Sequence, residues 1–420
     1  METHLAQWLK GSRDGDEAEA ILRKCVHCGF CTATCPTYQI LGDELDGPRG
    51  RIYLIKSVVE GEAPTRSTMQ HLDRCLTCRN CESTCPSGVD YGHLVDIGRR
   101  LVEQQVERPT QERFLRAALR ETLTRRWVFD PAMRLGQALR PFLPESLKAK
   151  VPERRDPGLV PLRTHARKVL LLAGCVQPAM IPAIDAATDR VLDRIGVQAL
   201  RPQDSGCCGA IRHHLNDQTG AAQDARRNIA AWWPLIEAGA EAILINASGC
   251  GAMVKDYAHL LATDPEWGPR AERVVAITRD LAEWLPGELD VALREGRLSA
   301  SAQQRLVFHP PCSLQHGQRI RGVVEALLTR MGASVLPVAD SHLCCGSAGT
   351  YSVLQPELSG ELRRRKLGNL SAGAPELILS ANIGCITHLQ AGTPTPVRHW
   401  IEWVDQVMEE PHRASRSVGA

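Results

Sequence analysis

Cys25-Val-His-Cys28-Gly-Phe-Cys31-Thr-Ala-Thr-Cys35-Pro36 and its later copy, Cys75-Leu-Thr-Cys78-Arg-Asn-Cys81-Glu-Ser-Thr-Cys85-Pro86, decide the first part of the fold. Both read C-x2-C-x2-C-x3-C-P. Three closely spaced thiolates wrap one face of a 4Fe–4S cube, and the cysteine before proline leaves for a second cube. The proline turns the chain away and removes an N–H that has no use there. This spacing assigns Cys25, Cys28, Cys31 and Cys85 to one cluster, and Cys75, Cys78, Cys81 and Cys35 to the other. The crossing makes the two copies one unit and brings the clusters together as a wire for single electrons. Zinc sites use two C-x2-4-C pairs and would leave four of these eight thiols idle.

The 39 residues from Pro36 to Arg74 exceed a compact link and predict extra structure between the copies. Asp16 to Lys24 reads as a helix with acids in its first turn. After the turn Gly47-Pro48-Arg49-Gly50, Arg51 to Glu60 has apolar residues at helical spacing. Residues 1–100 are therefore expected to form a mostly helical two-cluster domain. Arg49 and Arg51 are candidates to lie against a reduced, anionic cluster, or to be solvated surface arginines.

Composition narrows the class further. The chain has 420 residues, 16 cysteines and a net charge of +2, with 23% charged and 43% hydrophobic residues. That is a folded globular chain of several domains. Near-neutral charge gives no footprint for nucleic acid. The longest apolar run, Val169 to Val176, is far shorter than the roughly 20 residues that span a bilayer. The start, with Glu2 and no apolar core, does not read as a secretory signal. The expected location is the cytoplasm, or the cytoplasmic face of the inner membrane. In such a chain, 16 cysteines point to metal ligands or redox groups rather than disulfides.

The other eight cysteines form a duplication. Cys175 to Cys207 and Cys312 to Cys344 both span 32 positions, and the vicinal pairs Cys207-Cys208 and Cys344-Cys345 each precede glycine. Cys250 closes the first copy and Cys385 the second. Each copy alternates strands and helices. Strands are expected at 169–175, 197–200 and 242–246, then at 305–309, 334–338 and 377–380. Helices are expected at 181–195 and 222–238, then at 317–331 and 356–370. This predicts two α/β units with parallel pairing, at 169–290 and 300–410, with each cysteine at a strand's carboxyl end. The fold class is thus multi-domain α+β: a helical two-cluster domain followed by two duplicated α/β units. Four converging thiols suit an additional cluster or zinc, and a vicinal pair also suits a dithiol–disulfide cycle. His309 and His388 lie beside the second set, His388 at C-x2-H spacing where the first copy has Met253. His213 and His214 follow the first pair. No G-x-G-x-x-G follows a strand, so no FAD or NAD is expected on this chain.

Residues 101–168 form the bridge. Arg113 to Trp127 reads as one basic amphipathic helix suited to packing on this chain's own domains, a membrane surface or a partner. Pro141 to Lys168 holds five prolines and a net charge of +4, and reads as a tether.

With these motifs in this order, the sequence resembles the glycolate oxidase iron–sulfur subunit family over nearly its whole length. Cys25 to Tyr38, Gly47-Pro-Arg-Gly-Arg51 and Ser341-His-Leu-Cys-Cys-Gly-Ser-Ala-Gly-Thr-Tyr351 carry the likeness. Iron–sulfur subunits of D-lactate and glycerol-3-phosphate dehydrogenases and of heterodisulfide reductase share the layout. The resemblance implies FAD-containing partner subunits that oxidise glycolate to glyoxylate, or D-lactate. This chain would pass their electrons toward a membrane quinone or another acceptor. It also implies an enzyme complex whose substrate site lies on another chain. The alternatives are an iron–sulfur subunit of a D-lactate or glycerol-3-phosphate dehydrogenase, or a heterodisulfide-reductase-like thiol reductase. In that relative the repeat ends in C-x2-C, and here Met253 and His388 stand at the last position.

Overall fold

The computed structural model describes residues 1–295 and 304–414. The expected boundary between the two repeats falls partly on 296–303, outside the described residues. The chain forms two compact units. The first takes Met1–Leu119, His214–Asn216 and His342–Lys366, and the second takes the remainder.

The first unit is helical. Ser12 opens Arg13–Lys24 by accepting from the Gly15 N–H, Asp14 and Asp16 favour the positive end, and Arg23 and Lys24 the negative end. Pro48 starts Pro48–Val59, where a missing N–H costs nothing. Tyr91–Gln105 lies against that helix. Gly98 permits the approach, because a Cβ there would stand 2.5 Å from Ile55 Cγ1. Leu22, Ile55, Leu94 and Val95 are fully buried at the centre of this core.

The second unit contains two four-stranded parallel sheets. Strands β1 (Arg167–Leu171), β2 (Val197–Leu200), β3 (Ile243–Ile245) and β4 (Thr278–Asp280) are ordered β2-β1-β3-β4. Strands β5 (Arg305–His309), β6 (Ser334–Val335), β7 (Leu377–Ser380) and β8 (Val397–His399) repeat the order as β6-β5-β7-β8. Leu170 pairs with both Leu200 and Ile243, and Leu306 with both Val335 and Leu377. In each sheet the connections from the two central strands run to opposite sides. This creates a switch-point crevice beyond their carboxyl ends.

The structure departs from the sequence reading in several places. β4 and β8 were not expected, since Thr-Arg-Asp and Val-Arg-His show almost no apolar pattern. Each nevertheless ends on a capping side chain: Asp280 accepts from the Ala282 N–H, and His399 Nδ1 from the Ile401 N–H. The expected helix 317–331 is a π-helical turn, Ser313–Gly317, followed by Val323–Arg330 behind the left-handed Gly322. The expected bridge helix is broken into Thr110–Leu123 and Arg126–Ala138. A 3-10 turn, Arg140–Phe142, and a short helix, Glu145–Lys148, precede the tether.

Candidate iron–sulfur and thiol sites

The two ferredoxin-type copies have the same backbone. His27 and Gly29 in the first, and Thr77 and Arg79 in the second, all have positive φ, at 56°, 84°, 52° and 60°. For β-branched Thr77 this conformation is strained, and strain of this kind collects at functional loops. It curls each C-x2-C-x2-C run so that the three sulfurs face inward. Short helices Phe30–Ala33 and Asn80–Thr84 follow, and Asn80 Nδ2 donates to the Thr34 carbonyl at 3.0 Å across the copies.

Two cavities result. Cys25, Cys28, Cys31 and Cys85 line the first, with Arg49 and Ile52. Cys35, Cys75, Cys78 and Cys81 line the second, with Arg51 and Tyr91. Cys81 borders both. Each cavity takes three cysteines from one copy and the cysteine before proline from the other. Burial pushes the Cys31 thiol up to about 11 and raises Cys35 and Cys81 as well. Buried thiols that resist ionisation in an apolar wall ionise when a cation takes their charge, so the donor set fits iron.

Cations surround the second cavity. Arg51 is fully buried and donates to the His71 carbonyl at 2.7 Å and to Thr37 Oγ1 at 3.2 Å. Burial works against its charge, but Cys75, Tyr91, Cys35 and Asp46 outweigh this and raise its pKa above the usual arginine value. Asp46 also accepts from Arg74 at 2.9 Å, and His71 Nδ1 lies 3.1 Å from its other oxygen. Arg99 donates to the Cys75 carbonyl at 2.6 Å and to Thr77 Oγ1 at 2.9 Å. Thr77 N–H and Tyr91 O–H point at Cys75 Sγ, at 3.4 and 3.7 Å. Such charges and hydrogen bonds to sulfur set a cluster's potential. Arg49 and Arg51 are therefore wall residues of the two cavities.

In the first repeat, Cys175, Cys207, Cys208 and Cys250 meet beyond β1, β2 and β3 in a hydrogen-bonded chain of thiols, in that order. The bond from Cys207, together with burial, pushes Cys175 well above the usual thiol range. Asn228 Nδ2 holds the Cys207 carbonyl at 2.8 Å, and Tyr257 O–H holds that of Cys208 at 2.9 Å. Gly209 has φ +90° and no room for a Cβ beside the Ala221 carbonyl, which explains the invariant form of Cys-Cys-Gly in both copies. A cleft of about 930 Å³ opens beside this site, with Cys207 in its wall and Arg125, Arg126, Arg134, Arg212 and Arg227 around it.

The second repeat differs. Gly346 N–H donates to Cys344 Sγ at 3.4 Å, as Gly209 N–H does to Cys207 Sγ. Yet Cys344 and Cys345 belong to the first unit, because residues 342–366 pack there. Asn80 Nδ2 donates to the His342 carbonyl at 3.3 Å, and Tyr351 O–H to the Arg74 carbonyl at 3.0 Å. Cys385 and Cys312 stay with the sheet. His309, the last residue of β5, brings a ring nitrogen within 4.8 Å of Cys385 Sγ. His388 lies buried on the same helix as Cys385.

Two crossed cysteine cavities in a helical unit, and thiols at the switch points of parallel sheets, define an iron–sulfur electron-transfer protein. Residues 21–89 match the 4Fe-4S dicluster domain family, and residues 169–255 and 306–390 the cysteine-rich domain family. The chain is 53% identical to the glycolate oxidase iron-sulfur subunit of Escherichia coli (strain K12), over 98% of this chain and 100% of that one. It belongs to the glycolate oxidase iron–sulfur subunit family. It is also 28% identical to lactate utilization protein A of Geobacillus kaustophilus (strain HTA426), over 56% of this chain and 97% of the relative. A crystal structure of a hypothetical protein from Helicobacter pylori shares the fold, with a TM-score of 0.54 over 96% of this chain and 74% of that one, at 10% identity.

Proposed function

We propose that this chain is the electron-transfer subunit of a glycolate-oxidising complex. FAD-containing partner subunits would oxidise glycolate to glyoxylate, and the electrons would leave through this chain toward a quinone-level acceptor. Binding is peripheral, on the cytoplasmic face, and no helix of the described residues is long and apolar enough to cross a membrane. The observation that carries the reading is the crossed pair of cavities, each lined by the three close-spaced cysteines of one copy and the pre-proline cysteine of the other. Cys25, Cys28, Cys31 and Cys85 hold one 4Fe–4S cluster, and Cys75, Cys78, Cys81 and Cys35 the other. A cluster in each supplies one-electron transfer. The protein's own contribution is a dry wall, N–H and O–H groups aimed at sulfur, and the buried Arg51 and Arg99.

The first repeat's four thiols, Cys175, Cys207, Cys208 and Cys250, form a further metal site for a cluster or zinc. The second repeat is a different site, with Cys344 and Cys345 held in the helical unit. Its place there supports an electron route between the dicluster region and the second Cys-Cys-Gly loop. Likeness to lactate utilization protein A supports D-lactate as a second substrate of the complex.

Iron, zinc and acid-labile sulfide per chain, with EPR of the reduced protein, test the site reading. About eight irons mean two clusters, and clearly more mean an occupied repeat. Reconstitution with the flavin subunits tests the rest: glycolate should bleach the cluster absorbance, and an unchanged spectrum would sink the electron-transfer role. Zinc without sulfide would sink the cluster assignment.

A further inference from the structure

The Arg126–Ala138 helix is apolar on two opposite sides. Phe129 and Met133 face inward, and Gln137 Nε2 ties the helix to its own unit by donating to the Met180 carbonyl at 3.2 Å. On the outer side, Trp127, Pro131, Leu135, Ala138 and Leu139 recur at helical spacing, and Phe142 continues the line in the 3-10 turn. Trp127 is 75% exposed, Leu135 62% and Phe142 85%. A helix apolar all round is ordinarily covered on every side. Nothing among the described residues buries this stripe.

Charge indicates what covers it. Residues 110–168 contain 14 Arg and Lys against 6 Asp and Glu, an excess of +8 in a chain whose total is +2. The rest of the chain is therefore acidic by 6. The cations are interleaved with the apolar residues: Arg126 precedes Trp127, Arg134 precedes Leu135, and Arg140 stands between Leu139 and Phe142. A protein–protein interface takes up individual arginines but is depleted of lysine, whereas a cationic excess spread over the whole segment, lysines included, matches an extended anionic surface. At a lipid surface, phosphates and acyl chains lie within one side chain's reach, so alternating guanidinium and apolar groups are both satisfied.

We propose that this stripe is a docking surface for an anionic phospholipid bilayer, with the helix lying in the interface and not crossing it. Trp127 and Pro131 also edge the cleft whose wall contains Cys207. Docking there brings the cleft mouth to the lipid, where a membrane-soluble electron acceptor would enter. The inference deepens the membrane-acceptor reading, but vesicle binding involves no electron transfer, so the two can fail separately.

The test is co-sedimentation of the anaerobically purified full chain with phosphatidylglycerol/phosphatidylcholine vesicles and with phosphatidylcholine alone. We expect at least tenfold tighter binding to the anionic vesicles, weakening as salt rises. The exposed triple variant Trp127→Ser, Leu135→Ser, Phe142→Ser should lose that binding at unchanged metal content. Arg126→Glu with Arg134→Glu should abolish the preference for anionic lipid. Equal binding to both vesicles, or triple-variant binding like that of the parent, would overturn the proposal. So would protection of the stripe from surface labelling by the flavin subunits and not by vesicles.

Discussion

The Tyr351 hydroxyl donates to the main-chain carbonyl of Arg74 at 3.0 Å, joining the second Cys-Cys-Gly loop to the residue before Cys75. Tyr351 senses both Cys75 and Cys344, and burial lifts its phenol well above the usual range. Tyr351→Phe removes the one bond and keeps the ring. We expect a loss of about 1 kcal/mol in anaerobic urea unfolding, unchanged iron content, and altered relaxation of the EPR signal of the cluster at Cys75. An unchanged signal would separate the loop from the electron route.

The proposed crossed ligation makes an asymmetric prediction. Cys85→Ala should remove the cluster held by the distant Cys25 copy and spare the one beside it in sequence. Iron should fall by roughly half. Cys28→Ala should give the same residual spectrum as Cys85→Ala, and Cys78→Ala the complementary one.

Asp46 is fully buried and faces Arg51, Arg74 and His71. Asp46→Asn leaves buried cations without their anion, and breaking such a network costs about 3 kcal/mol or more. Chemical unfolding should show this, with a shift in midpoint potential of the second cluster, because Arg51 also lines its cavity.

Burial holds the His399 imidazole down at about 3. Its folded value lies below the unfolded one of about 6.5. The unfolded chain therefore takes up the proton first, and stability present at pH 8 declines as pH falls below about 6.5. The slope is at most about 1.4 kcal/mol per pH unit. His399→Asn keeps an acceptor for the Ile401 N–H and should flatten the stability profile between pH 7 and 5. An equally steep profile in the variant would place the titrating group elsewhere.

The cysteines made much of this architecture legible. Spacing indicated the crossed cavities, and the 32-residue intervals indicated the duplication. Strands β1, β3, β5 and β7 stood out as short apolar runs. β4 and β8 escaped because they are three-residue strands whose signal lies in a capping residue, not in alternation. The break at Thr124–Arg125 escaped because neither residue is a helix breaker. His309 offered only its place at a strand end. The partition of the second Cys-Cys-Gly loop escaped because the copies share only Cys-Cys-Gly there, and which body Tyr351 and His342 would meet is set by tertiary contacts that no local pattern encodes.

That partition bears on how the gene can be cut and inherited. A fragment ending at Leu119 carries all eight tandem cysteines and yet lacks His214–Asn216 and His342–Lys366, which complete its body. Such a fragment should assemble its iron poorly and expose the surface that Tyr351 covers. Exchange of carboxyl-terminal halves between relatives would likewise transplant part of the amino-terminal body. Any such exchange should keep residues 1–119 and 342–366 together, although more than 200 residues separate them in the sequence.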